Sequence, residues 1–273
     1  MLECVINVSE GRRTGVVQQI AACAGDHLLD VHSDGGHHRS VVTLAGPDVE
    51  ARAFAVVAEA VRVLDLRGHQ GVHPRLGVAD VVPFVPLMGA TIDGAVAARD
   101  RFASRVAREL DVPCFLYGDD RPLPSVRRLA FTSLAPDFGP AEPHASAGAC
   151  CVGARDVLVA YNVWLEPSVP PDVARSIAAA LRGPAVRTLA LVMGDGSTQV
   201  SCNLVDPMSV GPAFVYDAVA SRGPVQRAEL VGLVPRAVVD ALPPARWAEL
   251  DLDPSRTIEA RLAQAGLDGG SPQ

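Results

Sequence analysis

Histidine is the side chain whose charge changes near neutral pH, and this chain of 273 residues has seven. Four of them, His27, His32, His37 and His38, fall within twelve residues, with Asp30 and Asp34 among them; His69 and His73 follow one predicted helix later. Histidine and carboxylate are usual metal ligands, but the spacing matches no zinc pattern. A strand through 27–31 would also send alternate side chains to opposite faces. The segment Gly71-Val-His73-Pro-Arg75-Leu-Gly77 is the best single candidate for chemistry. Proline after the histidine restricts the backbone, and flanking glycines permit a tight loop. A histidine held there suits proton transfer at neutral pH, and the arginine two residues on suits a carboxylate. The competing reading is a structural loop with a capping histidine.

Other segments have a functional and a plain reading side by side. Asn7-Val-Ser-Glu-Gly11 sits where a strand ends, a common place for ligand groups in α/β folds, and is also ordinary turn chemistry. Pro136-Asp-Phe-Gly-Pro140, followed by Gly148, is a stiff strip poor in side chains that a flat ligand could approach, or a linker. Gly194-Asp-Gly196 lies between two β-rich runs and reads as a hairpin turn, not a phosphate cradle.

Composition removes whole classes. All 24 basic residues are arginine, so a Schiff-base lysine and a Walker A lysine are excluded. The net charge of -7 leaves no whole-chain basic footprint for nucleic acid and no polybasic membrane patch. No uncharged apolar run approaches the ~20 residues of a membrane span, and no basic leader precedes Leu2. The six cysteines, at 4, 23, 114, 150, 151 and 202, form no CxxC pair and read as reduced, mostly buried thiols of a cytoplasmic protein.

These residues need elements to position them. Periodicity predicts strands over 2–8, 28–31, 39–44, 78–86 and 113–117, and helices over 14–24, 49–64 and 92–110. Prolines 83 and 86 suggest that 78–86 is an edge or a strand end. Residues 118–149 are rich in Pro, Asp, Gly and Ser, with little regular structure expected. Strands follow at 157–164, 186–193, 198–205 and 225–234, with helices at 173–181, 210–220 and 236–242, and a frayed tail over 266–273. Each half thus reads β-α-β-β-α-β. The expected fold is α+β, two tandem ferredoxin-like α/β subdomains, 1–155 and 156–273, with a ligand cleft between them.

Several segments together resemble the formiminotransferase family. They are Cys4 to Gly11, Leu28 to Val31 with Arg39 to Thr43, Gly71 to Gly77 with Asp80, Pro136 to Pro140, Gly148 to Arg155, Gln199 to Leu204 and Leu230 to Pro235. They occur in the family's order over about residues 2 to 243. The resemblance implies transfer of a formimidoyl group between N-formimidoyl-L-glutamate and tetrahydrofolate, the latter a co-substrate, in a cytoplasmic homodimer without metal. It implies His73 as the catalytic acid–base, Asn7, Ser9, Arg39 and Arg75 as walls of the substrate site, and Gly139, Pro140, His144 and Gly148 within the folate-binding segment. It implies no cyclodeaminase activity. The family usually has an acid where this chain has Val72, often asparagine where it has His38, and in some members an acid at His32. Without an acidic neighbour, His73 should be less basic. These departures leave open a folate- or pterin-binding relative without transferase activity, a transferase with another one-carbon donor, and a metal-dependent hydrolase built on His32, Asp34, His37, His38 and His73.

Overall fold

Cys4, Ile6 and Val8 alternate along the first strand (β1, Leu2–Val8), and all three are buried. That is the period of two demanded of a strand with one face on a core. In the computed structural model, which describes residues 1–268, β1 lies at the centre of a six-stranded sheet. The chain continues through α1 (Thr14–Ala22), β2 (Leu28–Asp34), β3 (Arg39–Gly46), α2 (Val49–Val63) and β4 (Ala79–Pro86). It then adds α3 (Ile92–Leu110), β5 (Cys114–Tyr117), α4 (Leu123–Leu129) and β6 (Cys150–Ala154). The sheet order is β2-β3-β1-β4-β6-β5; the first four strands are antiparallel neighbours, while β6 runs parallel to both β4 and β5. Ala53, Val56, Val57 and Ala60 of α2 and Ala98, Phe102 and Val106 of α3 bury against one face of this sheet. On the other face, Val126 of α4 packs with Val81, Phe115, Tyr117 and Cys151.

These contacts belong to one compact unit, Met1–Asp156; a second begins at Val157. The second comprises β7 (Val159–Leu165), α5 (Pro171–Leu181), β8 (Val186–Val192), β9 (Thr198–Leu204), α6 (Pro212–Ala220), β10 (Val225–Val231), α7 (Arg236–Asp240) and α8 (Ile258–Gln264). Its four strands are all antiparallel, in the order β10-β7-β9-β8. Counted from its own first strand, each unit's βαββαβ segment therefore has the spatial order 2-3-1-4. Tyr161 is fully buried and its hydroxyl donates to the Leu250 carbonyl at 2.9 Å, which holds the segment after α7 against the second core. Met193 and Ser197 close the expected hairpin, with Met193 N–H donating to Ser197 O at 2.8 Å.

Three expectations need correction. β4 ends at Pro86, as a strand-end proline suggests, but it is an interior strand and not an edge, flanked by β1 and β6. Pro83 falls between the Cys4–Phe84 and Asn7–Val81 pairs, in a stretch where pairing with β1 lapses without a change of register, so its missing N–H withholds no bond there. Strand β6 was not expected; five residues with a Cys-Cys start and a glycine show no alternation, as suits a strand covered on both faces. Within 118–149, α4 is regular, held by Pro122 before its first turn and by Val126. Of the expected frayed tail, residues 269–273 lie outside the described residues. Among the described residues no helix is long and apolar enough to cross a membrane.

The loop before β4 is locked by backbone contact. A Cβ on Gly77 would meet the Ala149 carbonyl oxygen at 2.1 Å, whereas one on Gly68 would meet nothing within 4 Å. Gly77→Ala should therefore destabilise the first unit by about 1–3 kcal/mol, and Gly68→Ala by under about 0.5. Urea midpoints of the two variants check this; equal midpoints would show that the docking of 147–149 onto the loop is not tight.

Candidate active site

The end of β1, the start of β3 and the loop before β4 meet at one place. Ser9 continues β1 and fastens that loop, its N–H donating to Val78 O at 2.7 Å and its hydroxyl to Gly77 O at 2.8 Å. The next residue, Glu10, is buried. Burial alone would raise its carboxyl, but the backbone N–H groups of Arg13 and Arg12 and the Arg13 guanidinium hold it at a pKa of about 2. One Glu10 oxygen faces His38 Nε2 at 3.1 Å, and His38 Nδ1 faces the Gln70 carbonyl at 2.9 Å. His38 has a φ of 52°, a left-handed conformation uncommon for a side chain of its size. Its ring stacks on that of His69 at 4.0 Å, and His69 Nε2 reaches back to the His38 carbonyl. The turn after β2 thus grips the loop that carries His73.

His73 is half-buried within that grip. Arg39, the first residue of β3, donates from Nη1 to His73 Nε2 at 2.8 Å. A guanidinium has no acceptor, so this bond requires a lone pair on Nε2 and places the ring proton on Nδ1. Nδ1 in turn lies 2.8 Å from the Pro74 carbonyl, which accepts it. The ring is therefore neutral, in one tautomer. Burial, then Arg39, Arg127 and His37, lowers its pKa to about 2 against the opposing pull of the Pro74 carbonyl. Arg39 bears the converse strain: burial and the nearby Arg127 and Arg75 lower it to about 10, although Asp80 and Asp34 oppose this. Three guanidiniums, Arg39, Arg75 and Arg127, thus face two carboxylates, Asp34 and Asp80. The local excess is positive in a chain of net charge -7, and it favours an anionic ligand.

The other expected site residues divide into two groups. Asn7 is half-buried on β1, its amide donating to Val5 O at 3.4 Å. Arg75 turns its guanidinium back on the loop, donating to the His73 carbonyl at 2.8 Å and the His37 carbonyl at 3.3 Å, with Nη1 against the His69 ring. Gly139 and Gly148 have positive φ, 89° and 71°, and each packs on its own chain: a Cβ on Gly148 would meet Leu76 O at 2.1 Å. His144 closes a tight turn with Gly148, two backbone bonds at 2.9 Å, and its Nδ1 accepts from Ala147 N–H at 3.0 Å. Pro140 lies half-buried at the head of that segment. The structure thus brings Ser9, Arg39, His73, Arg75 and Gly148 to one loop cluster. His27 is elsewhere, its ring lodged against Gly46, and His32 stands on β2 opposite Val41. Among the described residues no group of three or more His, Cys, Asp or Glu side chains is arranged to hold a metal ion.

Sequence reasoning gave no role to Arg127, Asp80 or Glu10. Arg127 stands on α4, 47 residues from Asp80, and donates to its carboxylate at 2.5 Å. No local spacing signals a pair so far apart; its only trace in the sequence is an aspartate in the first residues of a strand otherwise wholly apolar.

Comparison with known proteins identifies the family. Residues 1–155 match the family model for the formiminotransferase domain, N-terminal subdomain. The chain is 37% identical over 233 residues to a glutamate formimidoyltransferase of Streptococcus pyogenes serotype M1, covering 76% of this chain and 78% of that one. It is 35% identical over 276 residues to the glutamate formimidoyltransferase of Thermoplasma acidophilum, covering 88% and 90%. Against the formimidoyltransferase-cyclodeaminase of Sus scrofa it is 34% identical over 315 residues, covering all of this chain and 58% of that one. The chain belongs to the formiminotransferase family, and it is an enzyme of the formimidoyltransferase type.

Proposed function

We propose that this protein transfers a formimidoyl group between N-formimidoyl-L-glutamate and tetrahydrofolate, with His73 as the acid–base. The observation that carries the reading is the neutral His73 ring, its one lone pair directed at a guanidinium. Toward tetrahydrofolate, the folate amine attacks the formimidoyl carbon, Nε2 takes the amine's proton, and the imidazolium returns a proton to the departing glutamate nitrogen. In reverse the same atoms act in the opposite order. A ring whose charged form is disfavoured is a strong acid once protonated, which suits it to release a poor amine leaving group. Arg39 occupies Nε2 in the free enzyme; a substrate carboxylate offers that guanidinium a charged partner and leaves the lone pair to the reaction. Neutralising Arg39 also raises the proton affinity of His73 when substrate is present.

Gln199 on β9 is fully buried, and neither of its amide atoms has a hydrogen-bond partner. It lies opposite Trp164 on β7, whose indole donates to Glu229 at 2.8 Å. In this reading 1–155 and 156–273 are the N- and C-terminal formiminotransferase subdomains, Asn7, Pro140 and His144 line the substrate path, no metal takes part, and the protein works as a cytoplasmic homodimer.

The test is transfer itself, followed by absorbance of the acid-cyclised methenyl product. Wild-type protein should give signal, and His73→Ala should lose about 10²–10⁴-fold in kcat with folate binding by calorimetry retained. Folate binding without turnover in the wild type would instead support the binding-protein reading. A second expectation follows from linkage. The unfolded ring has a pKa near 6.5 and the folded one about 2, so below pH 6.5 the unfolded state binds a proton that the folded state does not. His73 therefore favours folding above about pH 6.5, and that contribution is lost as pH falls toward 2. At pH 5.5 the loss is about 1 kcal/mol. His73→Asn should flatten the decline in urea midpoint between pH 7.5 and 5.5; an unchanged slope would show that His73 is not held neutral.

A further inference from the structure

The Pro74 carbonyl accepts twice. His73 Nδ1–H reaches it at 2.8 Å, and Arg127 Nη1 reaches it at 2.7 Å. Arg127 is itself fixed, because its other Nη donates to Asp80 Oδ2 at 2.5 Å. Asp80 is 2% exposed at the side chain and also accepts the Leu76 N–H, at 2.6 Å, three residues past His73. An unbroken line of bonds therefore runs from the buried Asp80 carboxylate through Arg127 and the Pro74 carbonyl to His73, and ends on Arg39. Arg127 touches no atom of the His73 ring in this line; it acts through the backbone.

We propose that Arg127 is a positioning residue for His73, which through the Pro74 carbonyl fixes the ring with Nδ1 protonated and Nε2 turned to the reacting nitrogen. The proposal rests on the acid–base reading of His73 and adds a residue from α4 to it. Two physical effects follow from the geometry. The shared carbonyl is held in place by a charged donor, so the ring cannot change to the other tautomer without giving up the Pro74 carbonyl as acceptor. The guanidinium charge also opposes an imidazolium, so a protonated His73 gives up its proton readily. The charged and titratable groups facing the ring are Arg39 from β3, Arg127 from α4, His37 from the turn after β2 and, beyond Arg127, Asp80 from β4. Arg75 lies on the same loop as His73 and is bound to its carbonyl. Leu123, Val126 and Ala130 seat α4 on the sheet, which makes the reach of Arg127 a property of the fold and not of a mobile side chain.

Removing Arg127 alone would leave the buried Asp80 carboxylate uncompensated, so the test uses Asp80→Asn together with Arg127→Gln, a neutral pair able to bond to each other. The ¹⁵N spectrum of His73 in the free protein is read against pH. Wild-type ring nitrogens should show one neutral tautomer; in the double variant both tautomers should appear, and the titration should move up by at least one pH unit. Arg127→Lys keeps the charge and should move it less. With substrates, the double variant should lose tenfold or more in kcat with KM for formimidoylglutamate within threefold. A merely structural role would lower the melting temperature and leave tautomer, titration and kcat in place, and that result overturns the proposal. The spectrum is independent of turnover. A shifted ring in a protein whose His73→Ala variant still transfers would uphold the positioning role and reject the acid–base reading; an unshifted ring would reject the positioning role whatever the activity.

Discussion

A guanidinium that donates to an imidazole nitrogen constrains everything around it. Arg39 can hold His73 Nε2 only while that nitrogen carries no proton. The proton must then sit on Nδ1, and a carbonyl must be supplied to receive it; the peptide after the histidine does so. Keeping two further arginines near the ring requires buried carboxylates to offset them, hence Asp80 within an apolar strand. The loop must be rigid to hold an arrangement with so little slack. Ser9, the Glu10–His38 contact and the close approach of Gly77 to Ala149 supply that rigidity from three sides. The site has a residual positive charge inside an acidic protein, an electrostatic form suited to substrates with several carboxylates.

The fold sets these residues where they are by ordinary means. β1 and β3 are neighbours, so the residues after the end of β1 and those at the start of β3 share one end of the sheet. The 2-3-1-4 strand order places β4 on the other side of β1, and the loop entering β4 returns to the same end. The later strands β6 and β5 extend the sheet past β4, and with α4 the added chain brings Arg127 and the turn at 144–148 against that loop. A chain that stopped at β4 would have the histidine and Arg39 but neither the second clamp on Pro74 nor the backbone that covers Gly77. The second unit repeats the four-strand order without those additions.

What was legible in the sequence depended on local chemistry. The apolar runs located β1 and three strands of the second unit to within two residues, and overran the end of β10 by three; in β1 the alternation is of the kind expected of a strand with one buried face. The long helices showed their 3.6-residue period, and Ile92–Leu110 is as expected. The loop from 71 to 77 stood out because proline and glycines surround a histidine. Strand β6 was missed since burial on both faces erases alternation; for β4 the prolines suggested an edge or a strand end, and Pro86 does end it, but Pro83 sits inside an interior strand where pairing with β1 lapses. Val72 in place of an acid gave the expectation of a less basic His73, but the causes seen in the structure are burial, Arg39 and Arg127, the last 54 residues away in sequence. Contacts over such distances leave no spacing to read.

The central claim is that His73 stays neutral across the physiological range because guanidiniums and burial hold it so. The pH dependence of kcat/KM for formimidoyl transfer tests this most directly, since it reports the ionisations of the free enzyme. The account predicts no acidic limb of enzyme origin near pH 6.5, with activity limited there only by substrate ionisations measured separately. A limb near 6.5 that disappears in His73→Ala residual activity, or that persists when substrate ionisations are subtracted, would mean that His73 titrates like an ordinary histidine and would contradict it.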